Sequence, residues 1–333
     1  MSLCAFIRHL SSSRCSAFTN VRAVGKKQSH SYSHRFLSSS APGINVKAVD
    51  LKSMSFADHT IDENEPVILL HGLLGQKRNF ASLGNALMKQ LEKKRQIFAV
   101  DLRNHGDNHD DWRSEMSYSD MADDVLAFLN KHAIDKAIIC GHSMGGKVAK
   151  SLALSNPDRV AGLVVIDIAP VTYTNDDPSW KAVEGIIRSL KEVELPPGKT
   201  KRDVDVELRI SVEDPAIRAF VLTNLETVPS KEKVQILRWK INVDAIADQL
   251  HLIAGFDVKS MDLSENSDLD LQYTGDVFLI KGGASSFVKN SHIPVIKKHF
   301  PNFLLTSIKG CGHWVHAESP DQTVALLKKY LDR

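Results

Sequence analysis

Hydrophobic and polar positions along this chain change period in a regular way. Short, mainly apolar runs occur at 67–70, 97–100, 137–139, 162–166, 277–280 and 303–308. Runs this short and this apolar read as strands buried on both faces, as in a parallel sheet. Between the early runs the period becomes helical. Phe80, Leu83, Leu87 and Leu91 share one face, and Met121, Val125, Leu126, Phe128 and Leu129 share another behind a capping Ser117. A weaker alternation at Ile44, Val46 and Ala48 reads as a first strand. Strands alternating with helices predict a parallel sheet covered on both faces. The rhythm stops near residue 170. From there to 271 the pattern is helical, with no convincing buried strand: Val183, Ile186, Ile187 and Leu190; then Ile217, Phe220, Val221 and Leu225; then Val243, Ile246, Ala247, Leu250 and Ile253. The expectation is an α/β fold with a mostly parallel sheet flanked by helices. Its core is formed by 41–170 and 272–333, and 171–271 is an inserted helical cap over the strand ends where substrates of such sheets bind.

The chemistry concentrates at the ends of the predicted strands. Gly141-His142-Ser143-Met144-Gly145 follows an apolar strand and precedes a helical pattern. G-x-S-x-G in that setting is a nucleophile elbow, a sharp turn that lifts the serine oxygen above the sheet edge. Flanking glycines are needed because a Cβ there would collide with the neighbouring strand or helix. The turn also aims the Met144 amide at a reacting carbonyl, and His71-Gly72-Leu73 supplies a second amide, that of Leu73. A serine needs a base, and the base needs an orienting acid. His313, in a glycine-flanked loop after the last strand, is the candidate base; His316 competes from three residues on. Most other histidines read as surface or capping residues, and His142 is expected to point away from Ser143. The loop after 277–280 carries no carboxylate, only Gly282-Gly283-Ala284-Ser285-Ser286. Two acids remain open: Asp167, ending the strand after the elbow helix, and Asp244 in the predicted cap. With Asp167, Ser285 is placed to hold His313 by a hydrogen bond. Asp101 to Asp107 is assigned to holding a loop together, with no chemistry.

Composition narrows the classes. The 333 residues are 43% hydrophobic and 25% charged with a net charge of +2, ordinary for a soluble globular protein and giving no case for nucleic-acid binding. No run approaches the roughly 20 apolar residues of a membrane span. Four cysteines without C-x-x-C spacing argue for neither zinc nor a disulfide framework, and Cys140 and Cys311 read as buried thiols. Residues 1–40 carry Arg8, Arg14, Arg22, Lys26, Lys27 and Arg35, many serines and no acid; the first acidic residue is Asp50. That composition is that of an organellar transit peptide, read as mitochondrial (matrix), with a chloroplast address as the alternative.

Taken in order, His71-Gly-Leu-Leu-Gly, Asp101-Leu-Arg-Asn-His-Gly, Gly141-His-Ser-Met-Gly-Gly-Lys, Asp167-Ile-Ala-Pro, Trp239-Lys-Ile-Asn, Gly282-Gly and Gly312-His-Trp-Val-His-Ala resemble the α/β-hydrolase branch containing the bacterial YbfF esterase and mitochondrial abhydrolase domain-containing protein eleven. The resemblance runs from about residue 44 to 333. It implies an α/β-hydrolase fold with an eight-stranded sheet and a helical cap, and hydrolysis of esters or acyl-thioesters. In YbfF-like members the acid lies at the position of Asp167, and a serine at that of Ser285 assists His313. In the mitochondrial relative the position of Asp244 has been treated as the acid.

The reading is therefore a serine hydrolase forming an acyl-enzyme on Ser143. His313 is the base, Asp167 the orienter (Asp244 the alternative), and Leu73 and Met144 the oxyanion donors. The expected partner is a small acyl ester or thioester, lipid-like substrates included, and no cofactor or metal is expected. A serine at the elbow argues against epoxide-hydrolase and dehalogenase chemistry, which uses a carboxylate there. The alternative function is a catalytically weak binding or chaperone-like protein that partners a mitochondrial enzyme.

Overall fold

The computed structural model describes residues 48–56, 64–230, 234–257 and 271–333. The expected transit peptide, and residues 44–47 of the expected first strand, lie outside them. Nine strands are described: β1 (Ser53–Ser55), β2 (Val67–Leu70), β3 (Ile97–Val100), β4 (Ala137–His142), β5 (Val160–Ile166), β6 (Leu225–Val228), β7 (Ile236–Trp239), β8 (Val277–Gly282) and β9 (Phe303–Ile308). Seven form one sheet in the order β1-β3-β2-β4-β5-β8-β9. All neighbours run parallel except β1, which is antiparallel to β3. The expected count of eight is thus seven among the described residues. Ala48 is not in a strand, and the first described strand begins at Ser53.

The apolar runs are continuous because both faces of the sheet are covered. Ile68 and Leu70 of β2 pack into one core with Ile139 and Val165, whereas Val67 and Leu69 pack into the opposite core with Cys140 and Val164. All of these are nearly or fully buried, and each such side chain contributes about 1.5–3 kcal/mol. The elbow helix Met144–Ser155 buries eleven of its twelve residues, Met144 through Leu154, with Lys147, Lys150 and Ser151 among them.

The strand order reverses between β2 and β4: from β2 the chain passes outward to β3 and then back across to β4. Connections at such a point leave in opposite directions, opening a crevice at the strands' carboxyl ends. The turns after β2 and β4, His71 to Gly75 and His142 to Gly145, flank that crevice. The Gly145 N–H donates to the His71 carbonyl at 3.1 Å and ties them together.

The chain between β5 and β8 is mainly helical, with helices Pro178–Glu192, Lys201–Leu208, Pro215–Leu222, Val243–Asp248 and Leu250–Ala254. The expectation of no strand there needs correction. The pair β6–β7 is antiparallel, with Leu225 opposite Trp239. It is a short ribbon burying only Leu225 and Leu237, too little apolar surface to show as a run. Leu225, placed on a helix by periodicity, follows a turn at Thr223 and Asn224 and opens β6. The helix expected over 243–253 is broken at Gln249 into two.

Candidate active site

Ser143 has φ 51° and ψ −119°, a left-handed conformation that costs a side-chain-bearing residue energy and persists only where its surroundings hold it. The surroundings here are glycine contacts. A Cβ on Gly141 would lie 2.1 Å from the Gly145 carbonyl oxygen, and one on Gly145 would lie 2.3 Å from that of Leu70. The Ser143 carbonyl accepts the Gly146 N–H at 2.8 Å and the Lys147 N–H at 3.1 Å. In a trans peptide C=O and N–H point oppositely, so the Met144 N–H faces away from the helix, toward the crevice.

Ser143, His313 and Asp167 come together. His313 Nε2 lies 2.9 Å from Ser143 Oγ, and His313 Nδ1 lies 2.8 Å from Asp167 Oδ2. The carboxylate accepts only, so Nδ1 carries the proton and Nε2 presents its lone pair to the serine hydroxyl. Asp167 is fully buried, and its own backbone is left-handed at φ 53°. Oδ1 accepts the Gly282 N–H at 2.9 Å, and Oδ2 also accepts the Ser285 hydroxyl. Ser285 therefore bonds the acid and not His313, a correction to the expected contact. The loop after β8 positions a carboxylate borne by the neighbouring strand. Asp244 is not brought to the site. Its side chain is 82% exposed and lies 3.9 Å from Lys191 on the first residues of a surface helix.

The histidines differ from expectation. His71, His105 and His142 are buried, and His71 and His142 line the crevice. His71 Nδ1 donates to the Gly72 carbonyl at 2.8 Å while Nε2 accepts the Leu102 N–H at 2.9 Å, a pattern only the neutral ring can satisfy. His105 does likewise, donating to the Arg103 carbonyl at 2.8 Å and accepting the Leu74 N–H at 3.2 Å. Burial lowers both pKa values, that of His105 to about 3. His142 donates through Nε2 to the His313 carbonyl at 3.0 Å, with ring centroids 4.8 Å apart, and burial holds it well below the usual histidine range. His316 packs against Phe80 and His142. Burial, and secondarily the neighbouring His313, lower it to about 4. No hydrogen bond joins it to Ser143, whose hydroxyl is held by His313.

The oxyanion arrangement is built from the turn after β2. The Gly72 carbonyl accepts from His71 Nδ1 and from the Gly75 N–H at 2.9 Å, which turns the Leu73 N–H of the same peptide to the opposite side. Among the described residues neither the Leu73 nor the Met144 amide has a hydrogen-bond acceptor. Both residues line one cavity with Ser143 and His313.

That cavity is about 320 Å³, and its wall is mostly apolar, with Trp180, Ile186, Phe220, Ile253 and Phe287 prominent. Lys147, one helical turn after Ser143, also lines it. Its buried ammonium donates to the carbonyls of Ala254 at 2.8 Å and Gly255 at 2.7 Å. Glu318 was missed from sequence. Its carboxylate accepts the Gly312 N–H at 2.7 Å and the Trp314 N–H at 3.1 Å, clamping the residues on either side of His313. The only signal was an acid five residues after the histidine. Asp101 does hold a loop together: it accepts the Lys77 and Asp107 amides and the Lys77 ammonium. Cys140 and Cys311 are free and buried. Among the described residues there is no group of three or more His, Cys, Asp or Glu that could hold a metal, and no helix long and apolar enough to cross a membrane.

Residues 65–320 match the family described as α/β hydrolase fold. The sn-1-specific diacylglycerol lipase ABHD11 of Mus musculus is 31% identical over 289 residues, 85% of this chain and 87% of that protein. Esterase YbfF of Escherichia coli is 30% identical over 272 residues, 81% of this chain and 94% of that protein. Among solved structures, a marine microorganism esterase superposes with a TM-score of 0.73 at 30% identity, covering 85% of this chain and all of that one (100%).

Proposed function

The chain belongs to the α/β-hydrolase fold family, and on that premise we propose that it is a serine hydrolase of carboxylic esters or acyl-thioesters. The observation that carries the reading is the unbroken line from Ser143 Oγ through His313 to Asp167, at 2.9 and 2.8 Å, beside two amides without acceptors. Ester hydrolysis is also the activity named for the mouse and bacterial relatives.

His313 Nε2 takes the proton as Ser143 Oγ attacks the acyl carbon, and buried Asp167 stabilises the imidazolium. The carbonyl oxygen becomes an oxyanion between the Leu73 and Met144 N–H groups. One such donor is typically worth about 10²–10³ in turnover. His313 then returns the proton to the departing alkoxide or thiolate, leaving the acyl group on Ser143. Water, deprotonated by the same nitrogen, attacks that acyl-enzyme and releases the acid. The apolar wall favours an aliphatic acyl chain, and the segment 171–271 serves as the cap that supplies much of it.

Fluorophosphonate labelling tests the reading. The native chain is expected to be phosphonylated on Ser143, located by peptide mass spectrometry, with labelling lost in Ser143→Ala. A folded native chain that stays unlabelled and cleaves no ester in a panel graded by chain length would overturn it. The acid-free, arginine- and serine-rich first 40 residues support mitochondrial import of this enzyme. Fusion of that segment to a fluorescent protein should direct it to mitochondria, and a chloroplast or cytosolic signal would count against the address.

A further inference from the structure

Leu74, next to the oxyanion donor Leu73, has a left-handed backbone with φ 61°. Side chains grip it from two sides. Its N–H is held by His105 Nε2 at 3.2 Å, and its carbonyl accepts Asn224 Nδ2 at 2.8 Å. Asn224 is fully buried and belongs to the segment between β5 and β8. It is seated by Trp239-Lys240-Ile241-Asn242, a motif the reaction does not otherwise use. The Lys240 N–H donates to the Asn224 carbonyl at 2.7 Å, and the Lys240 ammonium pairs with Asp107 at 2.6 Å. Ile241 forms an isolated antiparallel bridge with His105, and the Asn242 N–H donates to the Asn104 carbonyl at 2.9 Å. Both groups that hold Leu74 are thus tied to the same four residues.

The bonds run in one direction. Asn224 Nδ2 donates to the Leu74 carbonyl. The N–H of that same peptide, on Gly75, donates to the Gly72 carbonyl. The N–H of the Gly72 peptide, on Leu73, faces the cavity. Each trans peptide passes orientation from its carbonyl to its N–H. Successive bonds in such a chain also polarise one another, which strengthens the terminal donor. We propose that Asn224 is a positioning residue of the oxyanion site, heading a relay through the 74–75 and 72–73 peptides that aims and polarises the Leu73 N–H. The oxyanion site is complete only when the segment bearing Asn224 and the β6–β7 ribbon is seated on the core. This rests on Ser143 being the nucleophile.

The test uses the full chain, an ester substrate and an alkyl trifluoromethyl ketone, whose Ser143 hemiketal puts an oxyanion between the two amides. In Asn224→Ala, kcat and affinity for the ketone should fall together, by about 10- to 100-fold, with KM changed less than about threefold. A fall in kcat with ketone affinity intact, equal changes in KM and ketone affinity, or no change in any of them would overturn the relay. The native chain gives an independent reading if that variant fails to fold. On ketone binding the amide protons of Leu73, Gly75 and the Asn224 side chain should shift downfield together. A static Asn224 signal would overturn the proposal. Fluorophosphonate labelling separates the two levels. An unlabelled native chain removes the nucleophile and the relay with it, whereas a labelled native chain whose ketone affinity ignores Asn224 removes the relay alone.

Discussion

Asp167 and His313 meet at 2.8 Å although 146 residues separate them in sequence. The contact exists because β5 and β9 both pair with β8, which brings the loops that follow them to one edge of the sheet. Asp167→Asn keeps the side-chain shape but removes the acceptor that fixes the His313 tautomer. Turnover of a p-nitrophenyl ester should fall about 10³–10⁴-fold. Asp244→Asn, at an exposed helix end, should stay within about twofold. Equal losses in the two variants would mean that the acid assignment is wrong.

Glu318→Gln tests the clamp around His313. The amide replaces one acceptor oxygen with a donor, so one of the two flanking N–H groups loses its bond. Loss of a bond to a charged group costs about 1.5–3 kcal/mol locally. The expected result is a roughly tenfold lower kcat and slower fluorophosphonate labelling, with KM nearly unchanged. An unaltered labelling rate would show that the loop is held without Glu318.

Two glycine substitutions should act oppositely on stability. Gly145→Ala puts a Cβ 2.3 Å from the Leu70 carbonyl oxygen and 2.6 Å from that of His71, both backbone atoms that cannot yield cheaply. It should destabilise the fold by about 3 kcal/mol or more in urea unfolding. Gly185→Ala lies within the helix Pro178–Glu192, where a Cβ meets nothing within 4 Å, and should stabilise by about 0.4–1 kcal/mol.

Stability should fall with acid earlier than carboxylate titration alone would produce. His316 titrates at about 4 in the folded chain, against 6.5 when exposed. Between those values the unfolded state binds the extra proton, so stability rises with pH through the window, is complete above about 6.5 and is lost as pH drops. His105, at about 3 when folded, acts in the same direction. Each contributes a limiting slope of about 1.4 kcal/mol per pH unit. His316→Phe, placed among the rings of Phe80 and His142, should remove one proton from the slope measured by urea unfolding between pH 6 and 4.5. An unchanged slope would mean that His316 is protonated in the native state.

Local chemistry was legible in the sequence wherever a short stretch does the work by itself. The elbow needs two glycines because of contacts within its own turn and with the adjoining strand, and Gly141, Ser143 and Gly145 show this in five residues. The buried strands are legible for a similar reason: covering both faces of a parallel sheet demands unbroken apolar runs. What pairs across the fold was not legible. The sequence put Asp167 ahead of Asp244, but the contact with His313, and whether Ser285 bonds the acid or the base, depend on which loops the strand order sets side by side. The β6–β7 ribbon, the Glu318 clamp and the grip of Asn224 on Leu74 also escaped periodicity. The ribbon buries too little apolar surface to show as a run, while the clamp and the grip rest on single polar contacts, and hydrogen bonds, unlike burial, leave no repeating mark along a chain.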